Sequence, residues 1–290
     1  MNAPLSQRVS RTALADHLSQ LEGERHPLTN PTKFRAVQDY ISAQWTTWGL
    51  SLLTDPFSYQ SHEFVNLIGR PRAFPLGPRL IIGAHFDSVS GSPGADDNAS
   101  GVAALLEASR VLADASLLIP LEFVAFTLEE FGMVGSTHYA TTLRRTKVQL
   151  IGMLSLEMIG FTESSGYQHY PWFLRGRFPL TGNYIALAAT RRSRRLLRMA
   201  ASAMRSIPEL PVETITLPGK GGILPESRLS DHSPFWDQGY PALLITDTSF
   251  FRNPHYHKHS DTVQTLDLNF LEKVTRGVVA VVEALNCAAQ

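Results

Sequence analysis

The chain has 290 residues, with Lys+Arg and Asp+Glu both at 26, hydrophobic residues at 43% and charged residues at 18%. That length suits one large α/β domain or two small ones, and the balance is an ordinary globular one with ample core material. A formal net charge of zero gives no global pull toward nucleic acid or an anionic membrane surface.

Two helices are expected first. Leu5, Val9, Leu14, Leu18 and Leu21 fall at helical spacing over residues 5–22, and Phe34, Val37, Ile41 and Trp45 repeat the pattern over 32–48, closed by Gly49. Leu50–Phe57 and Val65–Gly69 read as short strands. Arg79–Ala84 is a near-continuous apolar run, the mark of a strand covered on both faces, and Leu121–Phe126 is another. Between them Asn98–Ala113 reads as a helix. Gly135–Arg145 follows as a helix and Leu150–Leu156 as a strand. Thr162–Gly182 breaks the rhythm with three Gly, two Pro and the aromatics Tyr167, Tyr170, Trp172, Phe173 and Phe178, and a loop of this length in a compact domain is usually functional.

A strand (Tyr184–Ala189), a helix (Ser193–Ser206), a strand (Val212–Leu217) and the loop Pro218–Pro225 come next. Arg191, Arg192, Arg194, Arg195 and Arg198 alternate with Leu196, Leu197 and Met199, the solvated face of an amphipathic helix rather than a nucleic-acid patch. Gly219-Lys220-Gly221-Gly222 lacks the spacing and the Ser/Thr of a phosphate loop and reads as a hinge or lid. Ala242–Thr246 is a strand and Asn269–Cys287 a closing helix. Alternating strands and helices predict a three-layer α/β/α sandwich around a mixed, mostly parallel sheet. No repeat or linker divides residues 1–290, so one domain is expected, with the helices of residues 1–50 packed on the sheet. The single cysteine, Cys287, permits no intrachain disulfide. The first 30 residues lack an apolar leader core, and no window approaches 18 consecutive apolar residues, so a cytoplasmic protein with no membrane span is expected.

Four short stretches rich in acid and histidine punctuate this frame: His85-Phe86-Asp87-Ser88, Gly94-Ala95-Asp96-Asp97-Asn98-Ala99-Ser100-Gly101, Glu129-Glu130 and His257-Lys258-His259-Ser260-Asp261-Thr262; Leu156-Glu157-Met158 falls before the last. Taken singly, each has an ordinary reading: a buried histidine, a solvated pair of glutamates, a helix cap at Asp96. Taken together, His85, Glu129-Glu130 and Glu157 each follow a predicted strand, and ligands of open α/β sheets bind at the C-terminal strand ends. Carboxylates and imidazoles without cysteine are what a hydrolytic zinc site needs.

Laid out in this order, the chain resembles the M28 family of zinc aminopeptidases from about residue 63 to 285. The carrying motifs are His-x-Asp, Gly-x-x-Asp-Asn-x-x-Gly, Glu-Glu, an acidic residue before Met, and His four before Asp-Thr. Ser230-Asp231-His232 with Pro234-Phe235 and Gly239-Tyr240-Pro241-Ala242 adds to the likeness. The resemblance implies two zinc ions about 3.5–4 Å apart. It implies that His85 and Glu157 hold one, Glu130 and His257 the other, and that Asp97 bridges them. Glu129 matches the general base and Asp87 the carboxylate that orients His85. Asp97-Asn98 matches a cis peptide. Glu157 stands where the aminopeptidases more often have Asp, which predicts unequal metal positions. Tyr256, beside His257, is a candidate donor to the developing oxyanion. Met158, Phe250, Phe251 and part of the loop 166–178 are expected to wall an apolar pocket for the substrate's first side chain. The expected activity is removal of N-terminal residues from peptides with a free N-terminus. Two alternatives are a glutaminyl cyclase-like acyltransferase, against which Tyr256 stands where that family has Trp, and a non-catalytic scaffold that has lost its metals.

Overall fold

The computed structural model describes residues 3–166 and 168–289; Tyr167, part of the aromatic loop, lies outside the described residues. Helix α1 (Arg11–Leu21) starts where the Ser10 side chain accepts the Ala13 N–H, and α2 (Pro31–Thr47) where Asn30 accepts that of Lys33 with Pro31 in the first turn. A hairpin follows, β1 (Ser51–Tyr59) with β2 (His62–Arg70), turning at Gln60 and Ser61, both with positive φ. Both strands run longer than their apolar runs, because pairing continues through the polar ends.

The remaining elements are β3 (Arg79–His85), α3 (Gly101–Leu112), β4 (Leu121–Phe126), α4 (Val134–Arg145), β5 (Leu150–Leu156), β6 (Ile185–Thr190), α5 (Arg194–Arg205), β7 (Val212–Leu217), α6 (His232–Asp237), β8 (Ala242–Thr246) and α7 (Leu268–Cys287). They form one eight-stranded sheet in the order β1-β2-β4-β3-β5-β8-β6-β7. Its centre, β4-β3-β5-β8, is parallel, as is the pair β6-β7. The joints β1-β2, β2-β4 and β6-β8 are antiparallel. The sheet is thus mixed, as expected. One face packs on α1, α2, α3, α5 and α7 through residues such as Leu18, Ile41, Leu105, Leu197 and Val278. The other packs on α4 and α6 through Tyr139, Leu143, Phe235 and Trp236. Strands β3, β4 and β8 are buried almost throughout, which is why they read as unbroken apolar runs. Among the described residues, no helix is long and apolar enough to cross a membrane.

Candidate metal centre

Because β4, β3 and β5 run parallel side by side, their C-terminal ends bring His85, Glu129, Glu130 and Glu157 to one edge. Asp97 arrives from the turn before α3. There Gly94 adopts φ +60, and a Cβ would strike the Asp97 carbonyl oxygen and an Arg25 nitrogen; at Gly101 one would strike the Asn98 side chain and the Leu156 carbonyl. The two glycines of that motif are there so that backbone and side chains can close around Asp97. The Asp97–Asn98 peptide is cis, as expected. It bends the start of the predicted helix, so that α3 begins at Gly101 rather than Asn98.

The donors fall into three overlapping groups: His85 with Asp97 and Glu157, His257 with Asp97 and Glu130, and His85 with Glu129 and Glu130; the first two share Asp97. Asp97 sends Oδ1 to within 3.3 Å of His85 Nε2 and Oδ2 to within 3.1 Å of His257 Nε2. Glu157 Oε2 lies 3.3 Å from His85 Nε2, and Glu130 Oε2 lies 3.2 Å from His257 Nε2. A tetrahedral ion with ligands at about 2.0–2.1 Å separates them by about 3.3 Å, so this spacing fits zinc. His85 Nε2 and Glu130 Oε1 are also buried with no hydrogen-bond partner, groups that a cation would satisfy.

Electrostatics point the same way. Burial pushes Glu130 up to about 7, helped by the Asp97 charge, and burial likewise lifts Glu129 and Glu157. Burial opposes charge on the two histidines, yet Glu157 and Glu129 hold His85 well above its ordinary value. Hydrogen bonds to Asp97 and Glu130 hold His257 at about 10. Burial would raise Asp97, but the flanking imidazoles of His257 and His85 win and depress it. A cluster that gathers protons in this way is short of positive charge, and a bound cation supplies it.

Asp87 has a second role that the sequence did not show. Its carboxylate accepts the backbone N–H groups of Glu129 at 3.1 Å and Glu130 at 3.2 Å. His85 Nδ1 is closer to the Asp87 carbonyl, at 3.1 Å, than to its carboxylate, at 3.6 Å. Asp87 therefore ties His85 to the glutamate pair. Asp261 accepts the N–H groups of Asp96 and Asp97 at 2.9 and 3.1 Å, which accounts for the Asp-Thr pair after His257. Ser230 donates to Glu157 Oε2 at 2.8 Å and stands next to Ser155. Its motif was visible in the sequence, but this role was not. Arg25 left no signal at all. It is fully buried, and its guanidinium donates to the carbonyls of Leu21, Gly23, Phe86, Pro93 and Gly94.

His255, His257 and His259 do not share a strand face, because the segment is a series of turns with His257 at φ +59. Only His257 reaches the centre; His255 bonds Ser260. The Tyr256 ring stacks on His257, with centroids 3.7 Å apart. Burial and the carboxylates of Asp97 and Glu130 raise its phenol above the ordinary range, so the O–H stays a donor. A cavity of about 280 Å³ opens from these residues. Phe250, Phe251, Tyr170, Leu174 and Phe178 line it. Met158 does not: it is fully buried behind Ser249, whose hydroxyl lies 2.9 Å from its sulfur.

A three-layer α/β/α sandwich whose parallel strand ends carry two carboxylate–imidazole groups joined by a shared aspartate presents a candidate metal-binding edge. The chain belongs to peptidase family M28, whose model matches residues 70–282. It is 37% identical to the Escherichia coli protein YfbL over 218 residues, covering 70% of this chain and 66% of YfbL. It is 26% identical to the aminopeptidase YwaD of Bacillus subtilis, covering 78% of this chain and 45% of that one. The chain thus spans two thirds or less of the length of these curated relatives. Among solved structures, the fold is similar to the LapA aminopeptidase of Legionella pneumophila (TM-score 0.78, 20% identity, 97% of this chain and 73% of that one). It is also similar to the glutaminyl cyclase of Macrostomum lignano (TM-score 0.76, 19% identity, 97% and 91%).

Proposed function

We propose that the chain is a zinc-dependent aminopeptidase that hydrolyses the first peptide bond of peptides with a free N-terminus. The observation that carries this reading is the sharing of Asp97 between two donor groups, with Glu129 beside them and an apolar cavity opening from the same point. His85, Asp97 and Glu157 would hold one ion, and Asp97, Glu130 and His257 a second. When bound, the metal pair would supply Lewis acidity that polarises the scissile carbonyl and acidifies the attacking water.

The chain's own residues do the rest. Glu129 takes the proton of the attacking water and passes it to the leaving amine. Its backbone is fixed for this by Asp87, which accepts its N–H. Glu129 and Glu157 receive the substrate's α-amine as a cation. The Tyr256 hydroxyl donates to the carbonyl oxygen as negative charge builds on it. The N-terminal helices belong to the same catalytic unit, because Arg25 joins them to the Asp97 turn.

The test is a panel of aminoacyl fluorogenic amides assayed as purified, after chelation, and after zinc is restored. Chelation should abolish turnover and zinc should return it; undiminished turnover in metal-free protein would overturn the reading. The likeness to a glutaminyl cyclase fold supports a second reading, cyclisation of N-terminal Gln. Pyroglutamate formation from a Gln peptide, without release of Gln, would favour it.

A further inference from the structure

The cavity does not end near the metal centre. It runs across the sheet from β5 over β8 and β6 to the edge strand β7. Its floor is set by strand register: Thr246, Ala186 and Glu213 form one row across β8, β6 and β7, and Leu244, Ala188 and Ile215 the next. All six line the cavity. The two alanines on β6 leave the trench open, since any larger side chain there would fill it. From β5 to β7 is three strand spacings of about 4.8 Å each. That span of about 14 Å leaves room for a first side chain longer than Leu, such as an extended Lys or Arg.

Glu213 closes the far end. Its carboxylate is half-buried and makes no hydrogen bond or ion pair with any described residue, while its charge is felt at the Tyr170 hydroxyl. Glu226, half-buried, lines the same mouth. No Lys or Arg among the described residues lines the cavity. Three arginines on neighbouring elements have partners of their own: Arg205 donates to the Val212 carbonyl, Arg228 bonds Asp237, and Arg252 lies against the Tyr184 ring, bonded to Gln168 and Phe161 with its second terminal nitrogen unpaired. A half-buried carboxylate with no partner, at the end of an apolar trench, is a cation acceptor waiting for a ligand. The apolar walls suit the methylene stem of a long basic side chain, and the carboxylate suits its head.

We propose that Glu213 selects substrates whose first residue is Lys or Arg, an inference that rests on the aminopeptidase reading above. The experiment compares kcat/KM for Lys, Arg, norleucine, Leu and Asp amides in metal-loaded wild type and in Glu213→Gln. Norleucine keeps the stem of Lys without its charge. Wild type should prefer Lys or Arg over norleucine by at least about 10-fold, the scale of one charge-assisted hydrogen bond. Glu213→Gln should bring that ratio close to one, with the change mainly in KM, and Glu213→Asp should restore part of it. Norleucine cleaved as well as Lys by wild type, or a ratio unmoved in Glu213→Gln, would overturn the inference while leaving the aminopeptidase reading intact. Failure of metal-loaded wild type on every amide would instead overturn that reading.

Discussion

Replacing Arg25 is expected to damage both stability and the metal centre, although no metal ligand is touched. The side chain is fully buried, and it donates to five carbonyls at 2.7–3.0 Å: Leu21, Gly23, Phe86, Pro93 and Gly94. Arg25→Ala leaves those acceptors in a cavity. A buried acceptor without a partner costs about 1–3 kcal/mol, and water entering the space returns part of it. A net loss of about 3–5 kcal/mol follows, the scale seen when one partner of a buried charge network is removed. That is a large part of a typical total of about 5–15 kcal/mol. Urea denaturation of metal-free protein should show a midpoint lower by about 1–2 M with m near 2–3 kcal/mol per M. Because Gly94 and Asp97 share one turn, zinc affinity should fall as well, by about 10–100-fold. Arg25→Lys keeps the charge but offers three donors in place of five and should recover only part of each loss. An Arg25→Ala protein with an unchanged midpoint and unchanged zinc affinity would refute the reasoning.

Glu129→Ala should keep its zinc, measured by elemental analysis, and lose turnover by at least about 10²-fold, whereas Glu130→Ala should lose metal. Tyr256→Phe should lower kcat by roughly 10–10³-fold with KM nearly unchanged if its hydroxyl meets the oxyanion; steady-state kinetics at verified metal content decides this. Ser230→Ala frees Glu157 Oε2 from a 2.8 Å bond and should weaken the weaker of two zinc-binding events by about 10-fold in calorimetric titration. Burial holds His232 down at about 3, far below its ordinary value, so the folded ring stays neutral while the unfolded one takes a proton below pH 6.5. Stability is therefore full above pH 6.5 and falls with a slope of up to about 1.4 kcal/mol per pH unit as pH drops toward 3. Measured by denaturation between pH 6.5 and 4, His232→Gln should flatten that slope by about one proton; an unchanged slope would contradict it.

The strand and helix pattern was legible because burial is periodic. Strands covered on both faces read as apolar runs at Arg79–Ala84 and Leu121–Phe126, and amphipathic helices repeat every three to four residues. The candidate donors were legible for a related reason. A sheet carries its ligands at strand ends, so each donor sits just after a run that can be recognised on its own. Their pairing was not visible. That one Asp97 oxygen faces His85 and the other His257 is decided by where β3, α3 and the turns before α7 meet. Local pattern gave no sign of the left-handed backbone at His257. It misled at Met158, whose neighbourhood to Glu157 in sequence says nothing of which side of the sheet it faces. Arg25 and Glu213 were silent, as was the role of Ser230, because each acts largely through partners 60 or more residues away or through cross-strand register. By itself the sequence determined which residue types stand at which strand ends, since that depends on local burial and covalent order. Only the tertiary structure decided which of them meet in one donor group, what holds them there and how far the cavity reaches, because hydrogen-bond geometry and strand register exist only once distant segments are packed together.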